Sequence, residues 1–200
     1  ELIQSFLTKR SNKFDEIIKK ESLTRALETD FALVALGGYG RKELFPSSDI
    51  DLSIIQFNPK TKKIDEIKDF IGWLWTLKVK VGHSVRTVKD IENITKSDLK
   101  EFTSYLSHRI IFCKKDKIAS LNDDLKRISK IWDKTKFFKA KRIEQNQRFQ
   151  SFDSTEFSLE PDLKESPGCL RDFQTAFWIL EHCFEIKKLQ DCVTAKMFSK

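Results

Sequence analysis

Two apolar runs separated by a short polar stretch constrain the fold more than any other feature of this chain. The runs cover residues 31–36 and 50–57, and the stretch between them opens with a pair of glycines. Apolar runs of this length, bounded by turn-forming residues, are typical of buried β-strands. We therefore predict two core strands over these ranges, with a short helix over 38–45 directly after the first.

Two aspartates mark the start of the second strand. Asp49 and Asp51 stand at positions i and i+2, so their side chains are expected on one face of the strand, roughly 6–7 Å apart. Oxygens of both can then bind a hard cation such as Mg²⁺. Gly37 and Gly38 follow the first strand, where glycine lets backbone N–H groups approach a phosphate. The pattern predicts a site for a nucleoside triphosphate and its metal; the alternative is a hairpin turn with exposed acids.

Other phosphate-binding motifs fit this segment poorly. A P-loop requires Gly-x-x-x-x-Gly-Lys-Ser/Thr, which the chain lacks. A dinucleotide fingerprint requires a third glycine, but Gly40 is followed by Arg41, Lys42 and Glu43. The two glycines therefore do not form either of these motifs, and we interpret them together with the two aspartates as one site.

Three segments of the sequence share a pattern with a known enzyme family. They are 37–52, which reads GGYGRKELFPSSDIDL, 81–87, which reads VGHSVRT, and 159–172, which reads LEPDLKESPGCLRD. In this order they resemble the PII uridylyltransferase/uridylyl-removing enzyme family, within the DNA polymerase beta nucleotidyltransferase superfamily. The resemblance implies Mg²⁺-dependent transfer of UMP from UTP to a tyrosine hydroxyl of the PII nitrogen-signalling protein.

The resemblance also implies roles for individual residues. Gly37 and Gly38 would contact the triphosphate, while Asp49 and Asp51 would be the catalytic residues that hold Mg²⁺.

Three further residues complete the nucleotide site that the resemblance implies. Ser48 would add a phosphate contact, and Arg41 would offset phosphate charge. Lys164, with a helix N-terminus near Ser166, would close over the nucleotide. The alternative for this last segment is an interdomain loop with a helix cap. For Arg86, a structural ion pair and a phosphate contact stay equally open.

The sequence departs from the superfamily pattern in one respect that bears on function. Many members carry a third acidic residue on the next strand, but the strand predicted over 79–87 has no carboxylate. Asp90 and Glu92 lie beyond it, so we assign no third metal ligand. Two alternatives follow: a transferase of the same fold with another nucleotide or acceptor, or a non-catalytic nucleotide-binding regulatory module.

Composition sets limits on partners and compartment. The 37 basic and 30 acidic residues give a net charge of +7, which suits a triphosphate or an acidic partner but also an ordinary lysine-rich surface. No nucleic-acid module is recognisable, so a nucleic-acid partner is not expected. The four cysteines are widely spaced, no apolar run approaches ~20 residues, and no signal peptide is apparent. We expect a cytoplasmic protein without a membrane contact.

The expected fold class is α+β. A small mixed sheet with flanking helices, the nucleotidyltransferase domain, is predicted over 1–112 with an N-terminal helix over 2–20. A helical domain is predicted over 113–200, and the resemblance implies that the nucleotide lies between the two. Because the chain begins with Glu1 and its only methionine is Met197, we expect a piece of a longer enzyme, without the hydrolase and sensing domains that the family carries.

Periodicity refines the helical part. Leu99, Phe102, Leu106 and Ile110 repeat at helical spacing, which predicts one continuous helix, and a charged helix is predicted over 133–150. The stretch 152–164 lacks periodicity and is predicted as a loop.

A last helix is predicted with Ser166 as N-cap and Pro167 in its first turn. Its buried stripe is predicted to consist of Leu170, Phe173, Phe177, Leu180 and Phe184.

Overall fold

The computed structural model describes residues 2–153, 162–186 and 191–192. Most of the loop predicted over 152–164 therefore lies outside the described residues. The chain divides into two compact units, 1–128 and 129–200, and each is described by itself. Within the described residues, no helix is both long enough and apolar enough to cross a membrane.

A four-stranded mixed sheet forms the centre of the first unit. Its strands are β1 (Phe31–Ala35), β2 (Ile50–Gln56), β3 (Val81–Thr87) and β4 (Arg109–Phe112). The spatial order is β3-β2-β1-β4, with β1 antiparallel to both β2 and β4 and β2 parallel to β3. The strands predicted over 31–36, 50–57 and 79–87 are confirmed, as is the α+β fold class.

Six α-helices surround the sheet of the first unit among the described residues, together with two short 3-10 helices, Leu27–Thr29 and Lys115–Lys117. The α-helices are α1 (Leu2–Thr24), α2 (Gly37–Gly40), α3 (Ile64–Thr76), α4 (Val88–Ser97), α5 (Leu99–Leu106) and α6 (Ile118–Ile128). Helix α3 makes the crossover that the parallel pair β2 and β3 requires. Helix α4 begins with a capping box, in which Thr87 accepts from the Asp90 N–H and the Asp90 carboxylate accepts in return from the Thr87 N–H.

The hydrophobic core lies where β1 and β2 meet α1 and α3. All five residues of β1 are fully buried, because this strand is central in the sheet and covered on both faces. Ile18 of α1 and Phe70 and Leu74 of α3 pack into the same cluster. The continuous apolar run that predicted β1 is thus explained by burial on both of its sides.

Two sequence predictions in this unit were wrong in extent. The helix predicted over 38–45 is a single turn, because Lys42 adopts a left-handed backbone conformation with φ of 62° just beyond it. The continuous helix predicted from Leu99 ends at Leu106, and Ile110 belongs to β4 instead. Ile110 pairs with Val34 of the central strand, and this long-range pairing overrides the helical spacing.

The second unit contains the helices α7 (Lys134–Asp153) and α8 (Leu170–Phe184), and the described residues 191–192 are helical as well. The charged helix predicted over 133–150 is confirmed. The predicted N-cap at Ser166 was wrong, because α8 begins after Cys169. Gly168 adopts a left-handed φ of +77° before it, which redirects the chain, and its N–H donates to the Asp172 carboxylate.

The predicted buried stripe of α8 was also wrong. Phe173 is 62% exposed and Phe184 is 54% exposed, whereas the buried residues are Thr175, Trp178 and His182. His182 accounts for part of this orientation, because its ring nitrogens bond the backbone carbonyls of Ser129 and Trp132.

The compact first unit extends further than the predicted sheet domain of residues 1–112. Helix α6 lies beyond that range and packs against α4 and α5, and Leu121 and Leu125 of α6 are buried there. The functional assignment of the two predicted domains stays a prediction.

Candidate nucleotide site

The paired carboxylates stand at the start of β2. Asp49 lies just before the strand and Asp51 is its second residue, and both are exposed while Ile50 between them is buried. Alternation along the strand therefore directs the two acids to one side, away from the core. The structure thus keeps both carboxylates on a surface that a ligand can reach.

Two glycines border the Asp51 carboxylate. Gly82 is its register partner on β3, and a Cβ atom at position 82 would lie 2.6 Å from Asp51 Oδ1. A Cβ atom on Gly37 would lie 3.5 Å from Asp51 Oδ2. The Leu36 N–H also donates to the Asp51 backbone carbonyl at 2.9 Å. The structure therefore brings together Asp51 and Gly37, two of the predicted site residues, and adds Gly82 as a position where only glycine leaves the carboxylate its room.

The glycine turn after β1 depends on close backbone approach. Gly37 has a φ of +55°, which glycine adopts without strain, and Gly38 follows it in α2. A side chain on Gly40 would collide with the carbonyl oxygen of Ser107. The first N–H groups of any helical turn have no acceptor within it, so the turn at Gly37 and Gly38 offers N–H donors beside the carboxylates.

A half-buried polar clamp, formed by Asp15, Tyr39 and Arg109, holds this turn in place. The Tyr39 hydroxyl donates to Asp15 Oδ1 at 2.7 Å, and the Arg109 guanidinium donates to both carboxylate oxygens of Asp15, at 2.5 and 3.1 Å. Arg109 also donates to the backbone carbonyls of Tyr39 and Gly40, each at 3.2 Å. Burial raises the pKa of the Tyr39 phenol, and the Asp15 carboxylate raises it further, so the hydroxyl stays protonated and donating.

The predicted residues Arg41 and Ser48 occupy different settings. Arg41 Nε donates to the Glu43 carboxylate at 2.7 Å, and its Nη1 donates to Ser107 Oγ at 3.2 Å. Ser48 is half-buried in the loop before β2, with its N–H donating to the Phe45 carbonyl at 3.0 Å. Arg41 is thus fixed beside the glycine turn, with its charge already shared with Glu43.

The same face of β2 and β3 continues into a polar cluster under α5. Arg86 makes a bidentate ion pair with Glu101, at 2.7 and 3.1 Å. The hydroxyls of Ser53 and Tyr105 are 2.7 Å apart, and burial raises the pKa of the Tyr105 phenol. Of the two interpretations left open for Arg86, the structure shows the structural ion pair.

Lys164 belongs to the second unit, in the loop that precedes α8. Its side chain is exposed, and its N–H donates to Asp162 Oδ1 at 2.8 Å. The loop is held by Glu165 and Arg171, whose closest side-chain atoms are 2.7 Å apart, and this hydrogen-bonded pairing lowers the pKa of the Glu165 carboxyl. The structure therefore shows an ordered setting for Lys164, and its contact with a nucleotide stays a prediction.

The two carboxylates at the start of β2 suit a hard cation such as Mg²⁺. Among the described residues, no group of three or more His, Cys, Asp or Glu side chains is placed to hold a metal ion. Mg²⁺ is commonly bound through one or two carboxylates together with substrate phosphates and water. Asp49 and Asp51, which offer hard oxygen ligands on one side of β2, fit that mode of binding.

Known proteins match this chain along most of its length. Residues 136–200 match the family model described as GlnD PII-uridylyltransferase. The bifunctional uridylyltransferase/uridylyl-removing enzyme of Haemophilus influenzae (strain PittEE) is 36% identical over 185 residues, 91% of this chain and 21% of that protein. The enzyme of the same name from Pseudoalteromonas translucida is 38% identical over 170 residues, 84% of this chain and 19% of that protein. The chain belongs to the PII uridylyltransferase family.

Membership in the PII uridylyltransferase family confirms the resemblance inferred from the three sequence segments. A third relative, from Hydrogenovibrio crunogenus, is 36% identical over 205 residues, which cover 98% of this chain and 22% of the relative. The chain therefore spans about one fifth of the length of the curated uridylyltransferases that it matches.

Sequence reasoning missed the residues that position the site in this member of the PII uridylyltransferase family. Asp15 and Arg109 are 94 positions apart, and neither stands in a recognisable motif. Gly82 could have been found, because its pairing with Asp51 follows once β2 and β3 are aligned as parallel strands.

Proposed function

We propose that the chain is the nucleotidyltransferase portion of a PII uridylyltransferase, which transfers UMP from UTP to a tyrosine of PII. The observation that carries the proposal is the Asp51 carboxylate, enclosed by Gly37 and Gly82 and next but one in sequence to Asp49. An acidic pair beside a glycine turn is what a triphosphate with its cation requires. The names of the relatives supply uridylyl as the transferred group, and the family model supplies PII as the acceptor.

Asp49 and Asp51 would hold Mg²⁺, which supplies charge neutralisation at the phosphates and polarisation of the α-phosphate. Both carboxylates are exposed, so a cation can reach them from solvent. The cytoplasmic location expected from the sequence belongs to this proposal as well.

The glycine turn would bind the phosphates. The N–H groups at Gly37 and Gly38 would donate to phosphate oxygens, and the clamp of Asp15, Tyr39 and Arg109 would fix the direction of those donors. Preorganised donors stabilise developing charge without reorganisation at the moment of reaction. Arg41 and Ser48 would add phosphate contacts that the family resemblance implies, and the nucleotide contact of Lys164 stays a prediction.

The proposed reaction is an in-line displacement. The acceptor tyrosine oxygen forms a bond to the α-phosphorus while the bond to the bridging oxygen of pyrophosphate breaks, and the hydroxyl proton is lost to solvent. The products are uridylylated PII and pyrophosphate. The chain's contribution is positioning and electrostatic stabilisation, since β3 carries no carboxylate that could take the proton.

A second candidate is a non-catalytic nucleotide-binding module. The absence of a carboxylate from β3 favours it, because many superfamily members place an acid on that strand. It predicts nucleotide binding without pyrophosphate release. A transferase of the same fold with a different nucleotide or acceptor would release pyrophosphate, but with another nucleotide or another protein.

The test uses the 200-residue chain, UTP labelled on the α-phosphate, Mg²⁺ and a PII protein. We expect a UMP-sized mass increase on PII that is lost in Asp51→Asn. The matched control is Asp123→Asn, which changes an exposed aspartate of α6 and should transfer normally. Normal transfer by Asp51→Asn would refute the proposal. Tight Mg²⁺-dependent UTP binding without transfer would support the non-catalytic regulatory module. Repeating the transfer assay with a panel of nucleotides would show whether a nucleotide other than UTP is the substrate.

A further inference from the structure

A groove runs along the outer edge of β4 in the first unit. It has a volume of about 710 Å³ and is lined by residues 108–115, by Lys19 and Leu23 of α1, and by Ile118 of α6. This volume falls in the range of ~300–1,000 Å³ that is usual for ligand sites. Every residue that lines the groove belongs to the described part of the first unit.

The floor of the groove is the edge of a sheet. β4 is the last strand in the order β3-β2-β1-β4, and it pairs with β1 on one side only within the described residues. An unpaired strand edge presents backbone N–H and C=O groups to which an extended peptide can add. The strand has four residues, so it spans roughly 13 Å and would pair with a peptide of similar length.

The walls of the groove combine apolar surface with positive charge. Two lining residues are exposed apolar side chains, Leu23 at 52% and Ile118 at 38%. Lys19 and Lys115 are exposed and make no ion pair with any described residue. Cations that no carboxylate neutralises, placed along an open strand edge, favour a partner that carries carboxylates.

The edge disfavours pairing with a second copy of the same chain. Antiparallel pairing of two such edges would bring the lysines of both copies together. Lysines of this kind are a usual protection of a sheet edge against self-association, and they do not repel a peptide that carries carboxylates.

We propose that this groove binds an extended acidic peptide, which pairs its main chain with the outer edge of β4 and places its carboxylates beside Lys19 and Lys115. The inference goes beyond the proposed transferase function and does not depend on it. It assigns the first unit a second binding surface on an edge strand, separate from the carboxylates of β2.

The test measures binding of a fluorescein-labelled heptapeptide of alternating glutamate and valine to the 200-residue chain by fluorescence anisotropy. We expect saturable binding that weakens about tenfold in the double variant Lys19→Glu/Lys115→Glu. The control Lys89→Glu/Lys100→Glu makes the same change in net charge on exposed lysines of α4 and α5, outside the groove, and should bind as the unaltered chain does. All four lysines are exposed, and circular dichroism would verify that both variants are folded.

Two further probes separate strand pairing from charge attraction. Heptapeptides with N-methyl groups on alternate residues cannot donate along one edge, so one of the two alternating patterns should lose binding. A heptapeptide of alternating lysine and valine should not bind. Absent binding of the glutamate peptide, equal loss in the control variant, or binding unaffected by either N-methyl pattern would overturn the proposal. Light scattering that shows a dimer, converted to a monomer by Lys19→Glu/Lys115→Glu, would identify a second copy as the occupant and also overturn it.

Discussion

The two units of the chain are stabilised in different ways. The first unit has an apolar core in which Phe31, Leu33 and Phe70 are inaccessible to solvent. The second unit also buries aromatic rings, those of Phe137 and Trp178, but it buries the charged side chain of Lys141 as well, which is 2% exposed. It leaves Phe173 and Phe184 of α8 exposed. The comparison shows that two parts of one chain can differ in whether their buried side chains include a charge.

Charged contacts connect α7, α8 and the loop before α8 in the second unit. Lys141 pairs with Glu144 at 2.5 Å and lies 4.5 Å from the centre of the Trp178 ring. Arg148 of α7 pairs with Asp172 of α8. Such pairs respond to pH and salt far more than apolar burial does, so solution conditions should affect the second unit first.

The largest expected effect comes from removing one aromatic ring from each unit. Phe70→Ala should lower the free energy of unfolding by about 3–5 kcal/mol, because it opens a cavity in the core. The matched change Phe173→Ala removes an exposed ring and should alter it by no more than about 0.5 kcal/mol. Urea unfolding of both variants tests the comparison, and equal losses would show that the α8 face is covered.

The second-largest expected effect is a loss of UMP-transfer activity on substitution of Gly82 in the first unit. In Gly82→Ala the new methyl group would lie 2.6 Å from Asp51 Oδ1, so the carboxylate has to move. A displacement of about 1 Å can cost roughly 100-fold in rate. We expect that loss in UMP transfer, measured with labelled UTP, with little change in thermal unfolding because the displaced atom ends a flexible side chain. Gly72→Ala is the control, since its Cβ meets no atom within 4 Å.

A smaller effect is expected at the half-buried contact of Tyr39 with Asp15 and Arg109. Tyr39→Phe removes the hydrogen bond to Asp15 but leaves the Arg109 pair, so it should cost about 1 kcal/mol of stability. The same variant should bind UTP more weakly, because the glycine turn loses part of its support. Isothermal titration calorimetry with UTP measures the affinity. An unchanged affinity would show that the clamp of Asp15, Tyr39 and Arg109 does not support nucleotide binding.

The smallest expected effect is a pH dependence of the second unit. Burial lowers the pKa of the Lys141 ammonium below its ordinary value of 10.5. Between the folded and unfolded pKa values the unfolded chain binds more protons, so this residue makes stability rise with pH toward 10.5. In Lys141→Met that contribution should disappear. Thermal unfolding from pH 8 to 10.5 measures it, and identical pH profiles would contradict the assignment.

The same comparison explains which parts of the fold could be predicted. β1 and β2 were predictable because continuous apolar runs report burial on both faces, and their positions then fixed the turn at Gly37. The burial of the α8 stripe could not be predicted, because apolar spacing shows which residues share a helix face but not whether another element covers that face. β4 was missed because Ile110 satisfies helical spacing locally, and only its pairing with Val34 decides its state.

The residues of the site also differ in whether the sequence alone could predict them. Asp49, Asp51 and Gly37 lie within 15 positions of each other in sequence, so a local pattern could suggest the carboxylates and the turn. The clamp joins Asp15 to Arg109 across 94 positions, and no local pattern reports such a contact. Chemistry that depends on adjacent residues was visible in the sequence, whereas the support for that chemistry required the fold.

Arg109 belongs to two surfaces at once. Its guanidinium holds the backbone of the glycine turn, while its strand lines the outer groove of β4. If a groove ligand shifts Arg109 and thereby changes the affinity for UTP by some factor, thermodynamic linkage applies. UTP must then change the affinity for the groove ligand by the same factor. A groove ligand that displaced this guanidinium would thus also remove two hydrogen bonds from the glycine turn, and the resulting coupling could be measured from either site.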